Sequence, residues 1–255
     1  MLRRERSGRI SQGNKLHLSI MKKLFLILAT SAFCIVLPAQ SLVGAWQQIS
    51  TDESGREVKN VVIFSQKYQV STWYDLKTGA FISCNGGGWS LDGNVITETV
   101  EFDTKTPERV GSEVSFEIQY TDNQLSAKDS DLTWSRIDDG SPGALNGAWL
   151  ITGRIRNDQM QSVSTDRPRK TMKILSGTRF QWIAYDTESK EFKGTGGGTY
   201  TTLNGKYTEN IEFFSRDVSR VGASLEFNFE LKLGDWLHSG KTSRGDPLYE
   251  VWSTR

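Results

Sequence analysis

The chain has 255 residues, 36% of them hydrophobic and 24% charged, with 31 Lys/Arg against 30 Asp/Glu. That length holds one large domain or two ordinary ones, each able to bury a core. Residues 1–40 carry seven of the basic and one of the acidic residues, so the remainder has 24 against 29, a formal charge of −5; a mildly acidic body argues against nucleic acid, which needs Lys and Arg clustered on one face.

In chain order, Met21-Lys22-Lys23 followed by the apolar run Leu24 to Leu37 reads as a secretory signal peptide spanning 21–40, cleaved after Ala39 or Gln40. The residues before Met21, with Arg3, Arg4, Arg6 and Arg9 and no hydrophobic period, read as an upstream extension. A lipid anchor on Cys34 is the rival; Phe33 stands where a small residue belongs, and the apolar run continues past it. The expected location is secreted or periplasmic, and no later segment is apolar enough to span a bilayer. Cys84 is the one cysteine after residue 40, so intramolecular disulfides are not expected and stability has to come from the cores.

The body of the chain repeats itself. Leu42-Val43-Gly44-Ala45-Trp46 returns as Leu145-Asn146-Gly147-Ala148-Trp149. At an offset of 111, residues 74–118 align without a gap on 185–229 with thirteen identities in forty-five pairs, where chance gives about three. The matches include Tyr74-Asp75 with Tyr185-Asp186, Gly86-Gly87 with Gly197-Gly198, Glu101-Phe102 with Glu212-Phe213, and Arg109-Val110-Gly111 with Arg220-Val221-Gly222. The turn-rich Asp138 to Gly143 separates the copies, placing one domain at 41–140 and the other at 145–255, with a linker short enough that the two are expected to touch.

Within each copy the hydrophobic period is two. Val114, Phe116, Ile118 and Tyr120 alternate with polar residues, as do Leu225, Phe227, Phe229 and Leu231. Asp92-Gly93, Asp122-Asn123, Asn204-Gly205 and Gly234-Asp235 are hairpin dipeptides between such runs. No helical stripe follows residue 41. The predicted fold is all-β: two tandem antiparallel up-and-down barrels of about eight strands each, with Gly86 to Gly88 and Gly196 to Gly198 as the bends that let a sheet close.

Gly44-Ala45-Trp46 and Gly147-Ala148-Trp149 resemble the Gly-x-Trp that opens the first strand of lipocalins. The likeness implies an arginine near the last strand packed over the Trp, Arg136 for Trp46 and Arg255 for Trp149. Gly197-Gly198-Thr199-Tyr200, Tyr207 to Glu212, Trp236-Leu237-His238-Ser239-Gly240 and Glu250-Val251-Trp252 make the second copy similar to the lipocalin-like domains of secreted bacterial proteins. The resemblance implies an eight-to-ten-stranded barrel around a cavity for a small, largely apolar ligand. The first copy lacks the Trp-x-His-x-Gly segment.

The residues themselves put one carboxylate on an apolar strand face in each copy: Glu209 among Tyr207, Ile211 and Phe213, and Glu98 among Ile96, Val100 and Phe102. A buried carboxylate needs a partner, for which Arg220 and Arg109 are candidates. His238, beside Trp236, either lines a barrel mouth or faces solvent. It is the one histidine after residue 40, and no His/Cys/Glu cluster has ligand spacing, so neither metal nor cofactor is expected. No Gly-x-Ser-x-Gly is present, and Cys84, matched by Thr195, reads as a packed small residue. Asp75 and Asp186 read as turn caps. The expected site is therefore Glu209, Arg220, Tyr207, Trp182, Tyr200, Phe213, Phe227, Trp236 and His238, holding a small apolar or amphipathic ligand. The alternatives are a small-barrel enzyme using Glu209 as acid or base with His238 or Tyr207, and an envelope interaction protein whose barrels are filled.

Overall fold

The structure is a computed structural model, which describes residues 41–255 apart from 142, 157–158 and 243–244. The leader, Cys34 and the upstream extension lie outside the described residues. Among those described, no helix is long and apolar enough to cross a membrane.

The first copy is a closed antiparallel barrel of eight strands in sequence order. These are β1 (Gly44–Thr51), β2 (Glu57–Phe64), β3 (Tyr68–Asp75), β4 (Phe81–Asp92), β5 (Val95–Asp103), β6 (Glu113–Tyr120), β7 (Gln124–Ala127) and β8 (Thr133–Asp138). Closure is by β1 against β8.

The second copy repeats the plan with β9 (Gly147–Arg156), β11 (Arg169–Leu175), β12 (Arg179–Asp186), β13 (Phe192–Leu203), β14 (Lys206–Phe214), β15 (Ser224–Lys232), β16 (Asp235–Lys241) and β17 (Pro247–Thr254), closed by β17 against β9. The extra strand β10 (Gln159–Ser162) pairs with the far half of β9, while β11 takes the near half. Gly44 faces Phe64 in the first barrel and Gly147 faces Leu175 in the second, offsets of 103 and 111 between copies. The second copy therefore carries eight additional residues between its first two core strands.

Hairpin chemistry follows the sequence with two shifts, the first to Gly93-Asn94, since Asp92 pairs with Val95. Asn204 and Gly205 both have positive φ, 52° and 74°, as a type I′ turn requires. The turn before β16 is centred on Leu233-Gly234, since Lys232 pairs with Asp235. Asp75 accepts from the backbone of Lys77 and Thr78, and Asp186 from that of Glu188 and Ser189, so both carboxylates cap their turns.

The glycine runs do more than bend the sheet. At Gly86/Gly87 and at Gly197/Gly198 the ladder slips by one residue, leaving Glu101 and Glu212 unopposed as bulges. A Cβ on Gly87 or Gly198 would meet the carbonyl oxygen of Thr99 or Asn210 at 2.0 or 1.9 Å. Because a bulge reverses strand parity, Phe102 and Phe213 leave the inward face held by Glu98 and Glu209.

They turn instead into a core shared by the two barrels. Val61, Ile63, Val70, Tyr74 and Phe102 from the first barrel pack with Leu150, Met172, Ile174, Ile183, Tyr185 and Phe213 from the second. The pairing is reciprocal. Tyr74 stacks on Phe213 and Tyr185 packs tilted against Phe102, each with centroids 4.8 Å apart. The Tyr74 hydroxyl donates to Glu212 and the Tyr185 hydroxyl to Glu101. Phe81 stacks on Phe192, its own counterpart at the 111 offset, with centroids 5.6 Å apart. The contact is thus a pseudo-twofold one, with an equivalent patch on each copy. Cys84 is buried there, its thiol pushed well up by burial and by Asp103. Asp138, in the connection, accepts from Ser176, Gly177 and Thr178 and so ties the end of β8 to the β11–β12 turn.

The two expected arginine–tryptophan contacts separate. The Arg136 guanidinium lies 4.0 Å from the Trp46 ring centroid and donates to the carbonyls of Val43, Ser41 and Asp122. Arg255 does not cover Trp149. It lies 4.0 Å over the Tyr68 ring of the other barrel and pairs with Glu101. Thr254 pairs with Trp149 and the Arg255 amide donates to Ala148, so the Arg255 side chain takes the face of Ala148, in the shared core, and not the face of Trp149. Replacement of Arg136 by Ala removes a cation–π contact and three carbonyl hydrogen bonds, and is expected to lower stability by about 1–2 kcal/mol in urea unfolding. Arg136→Lys should recover only part of this, because an ammonium lacks the planar fork.

Candidate functional site

The interior of the second barrel divides into a filled half and an open half. Toward the start of β9, Trp149, Leu175, Phe180, Tyr200, Tyr207 and Trp236 form a packed aromatic floor. Toward the other end a cavity of about 440 Å³ opens. Its apolar wall is Trp182, Ile211, Phe214, Leu225, Phe227, Leu248 and Trp252, and its polar groups are Lys173, Glu209, Arg216, Arg220, His238 and Glu250.

Lys173 owes its place to alternation on β11. Met172 and Ile174 face the other barrel, so Lys173 points inward, opposite Trp149 on β9 and Trp182 on β12. Its Nζ is 2.9 Å from Glu209 Oε1, with both side chains about 6–7% exposed. The same ammonium sits 4.8–5.2 Å from the ring centroids of Trp236, Tyr207 and Trp252. Burial, with the Glu209 carboxylate beside it, holds the Tyr207 hydroxyl well above the ordinary phenol range.

Across the barrel, His238 is 2% exposed and packs edge-on against Phe227, centroids 4.4 Å apart. Its Nδ1 is 3.2 Å from Glu250 Oε2, which also accepts from the Trp252 indole at 3.1 Å. Burial lowers the His238 pKa, reinforced by Lys173 and opposed by Glu250. Burial would raise that of Glu250, but the His238 hydrogen bond and Lys173 outweigh it and leave it lowered. The pair is therefore a neutral imidazole donating Nδ1–H to a carboxylate. Nε2 is then a lone-pair acceptor, and it is buried without a hydrogen-bond partner, as is the indole nitrogen of Trp236.

No family model matches the chain. No curated protein is similar to it in sequence either.

Of the nine residues expected at the site, Glu209, Arg220, Trp182, Phe227 and His238 line the cavity. Tyr207, Tyr200 and Trp236 belong to the floor behind it, and Phe213 is carried by the bulge into the contact between barrels. The partner of Glu209 within ion-pair distance is Lys173; Arg220 pairs with Asp217 at 3.4 Å. His238 is enclosed, which removes the solvent-facing alternative. Lys173 and Glu250 are the residues that sequence reasoning missed.

The first barrel solves the same problem differently. Val62 takes the place of Lys173, facing Trp46 as Lys173 faces Trp149. Glu98 accepts a short hydrogen bond from Gln69, while Arg109 pairs with Asp103. Burial raises the Glu98 pKa, against the pull of Arg109. Its cavity is about 230 Å³, walled by Phe64, Trp73, Phe116 and Trp134. A concavity of about 370 Å³ at the junction of the barrels is lined by Ser65 to Tyr68, Asn146 to Ala148 and Arg255, with no buried carboxylate among them.

Proposed function

We propose that the protein is an exported binding protein, kin to the lipocalins, that holds a small, largely apolar or amphipathic ligand in the cavity of its second barrel. The supporting observation is the pairing of an open, aromatic-walled space with a buried acceptor, His238 Nε2, that nothing in the chain satisfies. Such an atom costs about 1–3 kcal/mol unless a guest or water donates to it. The volume falls within the range of about 300–1,000 Å³ typical of small-molecule sites. The Gly-Ala-Trp opening with Arg136 over Trp46 supports the kinship, and the run Met21 to Leu37 supports export. With Glu209 engaged by Lys173, the site favours holding a ligand over proton transfer by that carboxylate.

Trp182 and Trp252 report on occupancy through their fluorescence. Within a panel of acyl, aryl and isoprenoid compounds, at least one is expected to shift emission and raise the melting temperature. Leu225→Arg, which fills the space, should abolish both responses. A panel that moves neither signal would remove this function.

A further inference from the structure

The rim of the second cavity is arginine-rich although the chain after residue 40 is acidic overall. Arg154 stands opposite Glu250 in the β9–β17 ladder and so shares its inward face, and Arg156 follows two residues on. Arg169 shares a strand face with Thr171 and Lys173, both of which line the cavity. Arg156, Arg167 and Arg169 all act on Arg154 as like charges, adding to burial in lowering its pKa, with Glu250 as the opposing carboxylate. None of these four arginines has a carboxylate within ion-pair distance among the described residues, and Arg154 Nε is buried without a hydrogen-bond partner. Asp186 stands across the ladder from Arg169 but is engaged in capping its own turn. Two more guanidinium groups, Arg216 and Arg220, line the cavity itself.

Like charges gathered without counter-ions cost free energy, and they are retained here where the first copy has uncharged residues, Thr51 for Arg154 at the 103 offset and Val58 for Arg169 at the 111 offset. The first cavity has one arginine, already paired with Asp103. Guanidinium groups favour oxyanions geometrically as well as electrostatically.

Building on the binding function proposed above, we infer that the second barrel selects an amphipathic organic anion, with a sulfonate-, carboxylate- or phosphate-type head at the Arg154/Arg169 rim and an apolar body against Phe214, Phe227 and Leu248. The arginines that stand in place of Thr51 and Val58 are then a specificity device: they convert a generic aromatic cavity into one that reads charge at its mouth.

The test uses two probes with one aryl body, 8-anilinonaphthalene-1-sulfonate and its uncharged analogue N-phenyl-1-naphthylamine, titrated into the full chain. The sulfonate is expected to bind at least about tenfold tighter. Arg154→Gln/Arg169→Gln should cut sulfonate affinity about tenfold and leave the amine unchanged, its retention showing that the cavity is intact. In the unaltered protein the preference should shrink as salt is raised from about 0.01 M to about 1 M, where the screening length falls from about 30 Å to about 3 Å. Equal affinities, or a preference indifferent to both salt and the arginines, would overturn the selection of anions while leaving the cavity as a binding site. If neither probe binds, or both still bind when Leu225→Arg fills the space, the binding function itself fails.

Discussion

Glu209→Ala is expected to destabilise the second barrel by about 3–5 kcal/mol, measured by urea unfolding with Trp fluorescence. The carboxylate is the ion-pair partner of Lys173 within the barrel, and both side chains are buried. Removing it strands an ammonium in an aromatic enclosure, where the Trp236, Tyr207 and Trp252 faces offset only part of the lost partner, about 1–2 kcal/mol. The double replacement Lys173→Met/Glu209→Leu should return most of the stability, because a buried pair contributes little over well-packed apolar side chains. The singles Lys173→Met and Glu209→Leu complete a thermodynamic cycle with it: a double-site loss smaller than the sum of the single-site losses identifies coupling between the two charges. If the losses add, the cost is one of packing and the pair has no special role.

The second large effect lies between the barrels. Glu212 accepts from both terminal nitrogens of Arg179, at 2.6 and 2.7 Å, and from the Tyr74 hydroxyl at 2.7 Å. The Arg179 side chain is only 5% exposed. Glu212→Ala leaves this guanidinium buried with a phenol as its remaining side-chain partner, and should lower stability by about 3 kcal/mol. Burial alone would raise the Glu212 pKa, but the hydrogen bonds and charge of Arg179, with Tyr74 and Lys59, bring it down to about 2 from 4.5. A folded-state value below the unfolded one means that the contribution is complete above about pH 4.5 and fades as pH falls toward about 2. Its size at neutral pH is about 2 kcal/mol, after discounting for a side chain that is about a third exposed. Melting temperatures measured from about pH 6 to about pH 2.5 should therefore fall more steeply for the native chain than for Glu212→Gln. Parallel curves would show that the interface is held by its apolar contacts alone.

The repeat, the period of two and the glycine bends made the architecture legible, because each is a local rule that tertiary packing did not override. Parity was the weak point. Counting by twos along Tyr207, Glu209 and Ile211 places Phe213 inside, and only the bulge at Glu212 moves it out. The paired glycines were visible in sequence, but that they mark a register slip as well as a bend was not. Lys173 was hidden for a related reason. In Arg169 to Leu175, Met172 and Ile174 look like the buried face and Lys173 like the wet one. Both faces are in fact covered, one by the barrel interior and one by the neighbouring barrel, and single-sequence patterning assumes one covered face. Arg220 was a reasonable partner for Glu209 by charge, yet its short-range geometry ties it to Asp217, three residues upstream on the same turn.

Phe81 meeting Phe192 is the mark of an assembly that would close on itself even if its halves were separate chains. Two identical barrels joined this way would depend on concentration for their partnership, and any change in one cavity would appear in the other. An eight-residue tether, 139–146, that starts at the Asp138 clasp removes both constraints. The halves are always within reach of each other, and each position at the 111 offset is free to drift alone. Val62 facing Trp46 while Lys173 faces Trp149 is such a divergence, and no symmetric pair of chains has access to it.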